Sequence, residues 1–276
     1  MFPSISRFFD PWERAFARLP EDRRTREDLN LDEPAIRRAL AASDVPHREY
    51  AIDVAAFRSW RARAEYESRH ADYYPTNIDE KSLEHYLAAE LAGLQKGQVL
   101  IDIASQIGVA CEVYERLYGV ETLQQDLDYP TGRHGRRIGG DAARMDVPDG
   151  FADALTLHCS FEHFEGASDT GFIREAARVL KPGGVLVIAP LYLAQHYAAI
   201  TYPPHSAGRV TFEADQRIHA LRHWQNRFGR FYDVPHFIDR VWKHRGPLQG
   251  EVLVVSNYRD VAPAIYMRFV LVLRKA

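Results

Sequence analysis

Apolar side chains in the first third of the chain recur every three or four residues, a spacing that predicts helices separated by turns. Asp10 precedes a proline and stands three residues before an acid, the arrangement of a capped helix start. Further helices are predicted from Asp32 to about Ser43, around Phe57 and Trp60, and from about Asp79 to Leu94. The sequence therefore predicts an N-terminal helical cap over residues 1–93.

An aromatic stripe runs along the first predicted helix. Phe9, Trp12 and Phe16 are spaced three and four residues apart and so share one helix face. Such a face can touch a membrane surface, but it more often docks on a neighbouring core. We expect docking.

After Gly97 the pattern changes to short, apolar, β-branched runs. Five of them are separated by helical or turn-rich segments: Val99–Ala104, Val120–Gln125, Arg137–Gly140, Ala152–His158 and Val185–Pro190. This alternation predicts a parallel sheet covered by helices on both faces. Glu251–Ser256 and Ile265–Leu273 follow without a long helix between them, which predicts an antiparallel C-terminal hairpin. The expected fold is α/β, with a Rossmann-like, mostly parallel, seven-stranded sheet over residues 94–276.

A long excursion over residues 191–249 separates the fifth run from the hairpin. It is expected to form an insertion at the carboxyl edge of the sheet, where loops usually carry specificity. Its stretch Arg222–Tyr232 mixes arginines with aromatic rings, which can bind a sugar-like acceptor bearing a phosphate or carboxylate. Solvated arginines beside a small aromatic core are the alternative.

Composition and charge narrow the class of partner. Lys and Arg total 35 against 38 Asp and Glu, a net charge of -3, so neither nucleic acid nor a membrane is an expected partner. The two cysteines, Cys111 and Cys159, lie in apolar segments, which argues against disulfides. The longest apolar run is too short to span a bilayer, and the first residues do not resemble a signal peptide. We expect a cytoplasmic protein and leave a homodimer open.

Three segments carry a family resemblance. Gly140–Asp153, Leu157–His163 and Arg174–Gly184 place an acid after the third strand, a "PDGFAD" turn before the fourth, a Glu-His loop after it, and "RVLKPGG" before the fifth. In this order they resemble the class I (Rossmann-like) S-adenosylmethionine-dependent methyltransferases, in particular the type-11 methyltransferase-domain group. The resemblance extends from Val99 to Pro190.

The resemblance implies S-adenosylmethionine as cofactor and methyl transfer to a small-molecule acceptor, with a hydroxyl group as one alternative. It places Asp126 on the ribose hydroxyls, and Asp141 and Ala142 on the adenine. The implied cofactor-binding residues all lie near the carboxyl ends of strands, where open sheets bind ligands: Asp102, Ala104, Ser105, Gly108, Asp126, Asp141, Ala142 and His158. The alternative is that each aspartate only caps a turn.

Two departures weaken the resemblance. The glycine-rich loop of the family has Ala104 and Gln106 where two glycines are expected, and the longer side chain either contacts or obstructs the cofactor. Residues 127–136 are too few for the usual helix and are expected to form an open loop. The alternatives to an enzyme of this family are therefore a non-catalytic scaffold that has lost its cofactor, and a Rossmann-like enzyme that uses another nucleoside ligand.

The loop after the fourth strand holds the catalytic candidates. His158, Glu162 and His163 do not have the H-x-x-E-H spacing of a zinc site, so no metal is expected. His163 is the candidate general base, because an imidazole can take a proton from an acceptor hydroxyl. Glu162 is the candidate that orients it, or else a buried residue that only orders the loop.

Overall fold

The computed structural model describes residues 10–276 and contains two sheets. The strands are β1 Arg24–Thr25, β2 His47–Tyr50, β3 Val99–Ile103, β4 Glu121–His134, β5 Arg137–Gly139, β6 Ala152–His158, β7 Leu180–Ala189, β8 Ala198–Thr201, β9 Arg217–Ala220, β10 Gly229–Phe231, β11 Leu248–Val255 and β12 Phe269–Lys275. The helices are α1 Pro11–Phe16, α2 Glu33–Ala41, α3 Val54–Ala64, α4 Tyr66–Arg69, α5 Ile78–Ala92, α6 Ala110–Tyr118, α7 Ser168–Val179, α8 Pro203–Ser206, α9 Val234–Arg240 and α10 Tyr258–Val261.

The large sheet has the order β2-β11-β12-β7-β6-β3-β4-β5. Strands β3 to β7 pair in parallel, and β12 runs antiparallel to both β7 and β11. The predicted Rossmann-like, mostly parallel sheet with a C-terminal antiparallel hairpin is therefore confirmed. Its central strands are apolar almost throughout because helices cover both faces.

The sheet has eight strands, one more than the seven predicted. The extra strand is β2, which pairs in parallel with β11 at the edge, with His47 opposite Val252. Its sequence, His-Arg-Glu-Tyr, has no apolar alternation because three of its four side chains are exposed. Residues 10–93 are thus mainly helical, but they also extend the sheet.

Each face of the large sheet has its own core. Helices α3, α5 and α6 pack on one face through residues such as Phe57, Leu87 and Val113. Helices α2, α7 and α9 pack on the other face through Ile36, Phe172 and Phe237. Asp10 and Asp32 cap α1 and α2 by accepting backbone N–H groups, as the sequence predicts. In residues 10–276, no helix combines the length and apolar character that a membrane crossing requires.

The insertion contributes β8, β9 and β10 to a second, four-stranded sheet with the order β1-β9-β8-β10, and β1 comes from the N-terminal part of the chain. Helix α1 docks beside it, because Trp12 is buried in a small core with Leu19 and Ile218. Trp12 also stacks on Phe16, with ring centroids 5.1 Å apart. The docking interpretation is therefore confirmed for Trp12 and Phe16, whereas Phe9 lies outside the described residues.

Residues 127–136 do not form the predicted open loop. Strand β4 continues through most of this segment and folds back on β5, with Arg133 opposite Ile138 and His134 opposite Arg137. Pairing in this hairpin gives the backbone amides hydrogen-bond partners on the neighbouring strand, and an open loop would not provide such partners. It projects from the carboxyl end of β4.

Candidate functional site

Three neighbouring cavities lie at the carboxyl ends of the parallel strands. The outer cavity, with a volume of about 160 Å³, is lined by Ala104, Asp126, Leu127, Asp141, Ala142, His163, Ser168 and others. The inner cavity, about 70 Å³, is lined by Lys81, His85, Asp102, Ser105, Gly108, His158, Cys159 and others. The aromatic cavity, about 420 Å³, is lined by Tyr74, Lys81, Cys159, Glu162, His163, Tyr192, Trp224, Phe231, Tyr266 and others.

The cavities share side chains. His163 lines both the outer and the aromatic cavity, and Cys159 lines both the inner and the aromatic cavity. The predicted site residues from β3, β4, β5 and β6 therefore meet in one region, as the topology of an open parallel sheet requires.

The loop after β3 fits its sequence closely. A Cβ at Gly108 would stand 2.8 Å from the carbonyl oxygen of Ser105, so this position admits only glycine without rearrangement. Ala104 has a φ of 53°, in the left-handed region that favours glycine. Its N–H donates to Gln125 Oε1 at 3.3 Å, and the N–H of Ser105 donates to the Gln125 carbonyl at 3.0 Å. Alanine at 104 therefore keeps the loop conformation at some cost in strain.

Gln106 points away from the cavities. Its side chain is exposed, and Nε2 donates to Asp128 Oδ2 at 2.6 Å. Its backbone N–H donates to Asp126 Oδ2 at 3.0 Å. Of the two alternatives drawn from the sequence, contact or obstruction, the side chain does neither here.

Asp126 and Asp141 both line the outer cavity and both also cap turns. Asp126 is buried, and its Oδ1 accepts the N–H of Asp128 at 3.0 Å. Asp141 is exposed, and its two oxygens accept the Ala143 N–H at 2.9 Å and the Ser168 hydroxyl at 3.3 Å. A carboxylate has about four acceptor positions, so capping leaves each group capacity for a ligand.

Asp102 and His158 lie together at the inner cavity. The Asp102 carboxyl accepts hydroxyl hydrogens from Ser105 at 2.7 Å and Thr156 at 3.2 Å, and burial raises its pKa to about 7. Burial, with a contribution from the Lys81 charge, lowers the pKa of His158 to about 3, so the imidazole is neutral. The 3.5 Å separation of His158 Nε2 and Asp102 Oδ1 is therefore not an ion pair.

The tautomer of His158 follows from its neighbours. The Tyr114 hydroxyl donates its hydrogen to the His85 carbonyl at 2.9 Å, so its oxygen accepts from His158 Nε2 at 3.2 Å. This leaves Nδ1 with the lone pair, and Nδ1 is buried without a hydrogen-bond partner among residues 10–276. The inner cavity thus presents an unpaired acceptor next to a buried carboxyl group.

Helix α5 contributes polar residues that sequence reasoning missed. Glu80, Lys81, Glu84 and His85 are all buried, although their spacing in the sequence is that of a solvated face. Lys81 Nζ donates to both oxygens of Glu84 at 3.1 Å. Burial opposes the ammonium form of Lys81, but the Glu84 charge outweighs it and the pKa of Lys81 lies above its ordinary value. The sequence gives one indication of this burial: the charged residues lie on the same helix as a stripe of apolar residues.

Glu162 and His163 meet where the outer and aromatic cavities join. Their Oε1 and Nε2 atoms are 3.5 Å apart. His163 Nδ1 lies against the Phe228 carbonyl, which can only accept, so Nδ1 carries a hydrogen. When the His163 ring is neutral, its Nε2 is therefore a hydrogen-bond acceptor, and it faces Glu162 Oε1, which is also an acceptor. A single proton placed between these two atoms would give both of them a hydrogen bond.

Cys159 orients the Glu162 carboxyl. Burial raises the pKa of the Cys159 thiol, which therefore keeps its hydrogen and donates it to Glu162 Oε1 at 3.3 Å. The Tyr192 hydroxyl lies 3.1 Å from the same sulfur. Cys159 has a φ of 51°, a strained conformation of the kind that clusters at functional sites. Within residues 10–276, no group of three or more His, Cys, Asp or Glu side chains is placed to hold a metal ion.

The insertion arginines have protein partners. Arg222 pairs with Asp10 at 2.7 Å and lies 4.3 Å above the Trp12 ring. Arg230 is buried against Asp169 at 2.5 Å. Arg227 lines the outer cavity, but Glu165 Oε1 accepts from its Nε at 2.6 Å. These side chains hold the insertion on the core, which favours the structural alternative for this stretch.

The strand order and the position of the site define a Rossmann-like, class I methyltransferase fold. Residues 93–188 match the family model described as a methyltransferase domain.

Two curated relatives are similar to parts of the chain. A sterol 24-C-methyltransferase of Eremothecium gossypii is 30% identical over 148 residues, 48% of this chain and 37% of that protein. A ubiquinone/menaquinone biosynthesis C-methyltransferase of Azotobacter vinelandii is 29% identical over 114 residues, 36% of this chain and 44% of that protein. The chain thus spans less than half the length of either relative.

Among solved structures, a Burkholderia thailandensis 1,6-didemethyltoxoflavin N1-methyltransferase with bound S-adenosylhomocysteine is similar at a TM-score of 0.49 and 14% identity. The similarity covers 84% of this chain and 94% of that chain.

Proposed function

We propose that this protein transfers a methyl group from S-adenosylmethionine to a small molecule bound in the aromatic cavity. The observation that carries the proposal is the continuity of the three cavities through His163 and Cys159. A cofactor in the outer and inner cavities and an acceptor in the aromatic cavity would meet at these residues. The methyltransferase-domain match of residues 93–188 supports the same activity.

The residues present fit the proposed cofactor. His158 Nδ1 is a buried acceptor without a partner among the described residues, and Asp102 beside it is a buried carboxyl group. Both suit the α-ammonium group of a bound amino acid. Asp126 on the outer cavity suits ribose hydroxyls, and Asp141 with Ala142 suits an adenine edge. When bound, the cofactor supplies an electrophilic methyl group on a sulfonium.

Lys81 stands close to the position proposed for this cationic cofactor. An isolated ammonium there would repel a sulfonium, but Glu84 neutralises Lys81 through both carboxylate oxygens. His85 and His158 carry no charge, since burial lowers the pKa of each below its ordinary value. The cavity walls can therefore accept a cation without excess positive charge.

Glu162 and His163 manage the proton of the acceptor. Glu162 is 2% exposed, and its Oε2 has no hydrogen-bond partner among residues 10–276. It can accept the hydrogen of an acceptor O–H or N–H group, while Oε1 and His163 Nε2 share a second proton position. General-base assistance of this kind is worth about a hundred- to ten-thousandfold in rate. Most of the remaining acceleration would come from placing the acceptor in line with the methyl group.

Calorimetric titration separates this proposal from its rivals. The protein is titrated with S-adenosylmethionine, S-adenosylhomocysteine, ATP and NADH under identical conditions. Micromolar binding of the first two ligands alone is the expected result. Binding of ATP or NADH in their place would support a different nucleoside enzyme, and binding of none of the four would support a non-catalytic scaffold. The hypothesis of a non-catalytic scaffold was based on Ala104 and Gln106. Because the Gln106 side chain does not enter the cavities, it no longer supports that hypothesis.

A further inference from the structure

The aromatic cavity combines an unpaired buried acceptor with ring-lined walls. Glu162 Oε2 is the acceptor: it is shielded from solvent and has no hydrogen-bond partner within residues 10–276. Leaving such a group unpaired costs the free energy of its lost hydration. A ligand that donates a hydrogen to Oε2 would remove that penalty, so the orphan oxygen indicates what the ligand carries at this point.

The second oxygen of Glu162 is already committed. Oε1 accepts from the Cys159 thiol at 3.3 Å and faces His163 Nε2 at 3.5 Å. These contacts occupy Oε1 and leave Oε2 as the unpaired oxygen of a side chain that lines the cavity. The polar end of the cavity is therefore a directed hydrogen-bond acceptor, not a diffuse negative patch.

Aromatic rings form a large part of the walls, beside the polar side chains of Asn77, Lys81, His223, Asn226 and Arg268. Tyr192 lies between Phe231, at a ring-centroid distance of 4.8 Å, and Tyr266, at 6.4 Å with planes only 21° apart. Trp224 and Tyr74 add two more rings to the lining, and Tyr74 is 41% exposed at the mouth. Flat rings gain most from offset or edge contacts with such walls. A volume of about 420 Å³ lies in the range of cavities that take one compact organic molecule.

We propose that the acceptor is a compact, planar aromatic or heteroaromatic molecule whose ring O–H or N–H donates to Glu162 Oε2. This inference rests on the proposed function, because it names the substrate class of the same site. An aliphatic molecule without an O–H or N–H group would leave Oε2 unpaired, and one with such a group would gain little from the rings. The hydrogen given to Oε2 would belong to the atom that is methylated.

Three matched probes test the inference on the full chain. They are 2-naphthol, which is planar with a donor; 2-methoxynaphthalene, which is planar without one; and decahydro-2-naphthol, which has a donor but is not planar. Each is titrated by ligand-observed NMR with and without saturating S-adenosylhomocysteine. The same titrations use Glu162→Gln, which keeps the shape of the side chain but can turn an amide N–H toward the ligand.

We expect 2-naphthol to bind about tenfold more tightly than either other probe. Against 2-methoxynaphthalene the difference reflects one hydrogen bond to a charged group, and against decahydro-2-naphthol it reflects contact between aromatic rings. In Glu162→Gln this preference over 2-methoxynaphthalene should fall to within about threefold. Equal binding of the methoxy or the saturated probe by the wild type would overturn the inference, and so would a preference that Glu162→Gln leaves unchanged.

The two proposals fail in different ways. Absence of S-adenosylhomocysteine binding would count against methyl transfer, and the titrations without it would still decide whether the cavity selects planar donors. Binding of S-adenosylhomocysteine by Glu162→Gln at wild-type affinity would show that the variant is folded.

Discussion

The backbone N–H of Gln106 donates to Asp126 Oδ2 at 3.0 Å, so the loop after β3 is tied to the end of β4 by the carboxylate proposed to hold the ribose. Asp126 therefore serves two purposes. It fixes the loop that closes the inner cavity, and it presents its remaining lone pairs to the outer cavity.

Replacing Asp126 with alanine should weaken S-adenosylhomocysteine binding about ten- to a hundredfold, because hydrogen bonds to a charged group and the loop anchor are both lost. Calorimetry measures the effect. Asp128→Ala is the matched control, since Asp128 is exposed, lies two residues away, and its carboxylate accepts a hydrogen bond from the outward side chain of Gln106. That variant and Gln106→Gly should stay within about threefold of the wild type. An equal loss of S-adenosylhomocysteine affinity in Asp126→Ala and Asp128→Ala would show that Asp126 does not bind the cofactor.

Changing Ala104 to glycine should stabilise the protein. Ala104 has a left-handed φ, which costs a non-glycine residue about 1–2 kcal/mol. Glycine removes this strain, but it also raises the conformational entropy of the unfolded chain, which offsets part of the stabilisation. A net increase of about 0.5–1 kcal/mol in the free energy of unfolding is expected in urea titrations. Ala110→Gly, in helix α6, should lower it by a similar amount. A loss of stability in Ala104→Gly would mean that the loop does not adopt this conformation.

The strands around the site could be predicted from the sequence because each is a buried apolar run ended by a polar residue. Asp102, Asp126, Asp141 and His158 stood out for that reason, and the structure brings them to one edge of the sheet. Strand β2 could not be predicted, because an exposed edge strand has no apolar pattern and is specified only by its partner β11.

The buried charges of α5 could not be predicted either. Lys81 and Glu84 are three residues apart, which on any helix indicates a solvent-exposed ion pair. Their burial depends on the loop after β6 and on Tyr266 from the C-terminal part of the chain, which together cover this face. Long-range packing of this kind leaves no local signal.

The pKa of Asp102 makes stability depend on pH. Burial raises it from 3.8 to about 7, so between these values the folded protein holds a proton that the unfolded chain has released. Unfolding then releases that proton, and the free energy of unfolding should fall as pH rises from about 4 to 7, by on the order of 2–4 kcal/mol. Glu80 acts in the same direction, because burial raises its pKa to about 7.

Asp102→Asn isolates the contribution of this one carboxyl group. The difference between wild type and Asp102→Asn should change over this pH window and be flat above it, while Glu80 contributes equally to both proteins. Urea titrations at half-unit intervals measure it. Parallel curves for the two proteins would contradict a raised pKa at Asp102.

The insertion is held to the core by Asp169, and the strength of this link can be measured. Arg240 donates two hydrogen bonds to the carboxylate, at 2.8 and 2.7 Å, and the Tyr232 hydroxyl donates a third at 2.7 Å. Asp169→Asn would remove the fully buried carboxylate of the two that pair with Arg230, the other being Glu213, and should cost about 3 kcal/mol in the free energy of unfolding.

Glu165→Gln is the control, because it breaks the exposed pair with Arg227 and should cost less than about 1 kcal/mol. Chemical denaturation compares the two variants. Similar small losses in both would show that the insertion is held by its apolar contacts alone.

Glu162 and His163 should respond differently to substitution if the carboxyl group takes the acceptor proton. Both side chains line the aromatic cavity, but Glu162 is 2% exposed with Oε2 unpaired among residues 10–276, whereas the His163 side chain is 38% exposed and its Nε2 faces Oε1. With an accepted substrate, Glu162→Gln should lower kcat by at least about a hundredfold. His163→Ala removes the partner of Oε1 but not the base, so a smaller loss, about tenfold, is expected. Glu162→Gln should not alter S-adenosylhomocysteine affinity by more than about threefold, because Glu162 lines the aromatic cavity and is not among the residues that line the outer or the inner one. A greater loss of kcat in His163→Ala than in Glu162→Gln would make the imidazole the base and Glu162 its support.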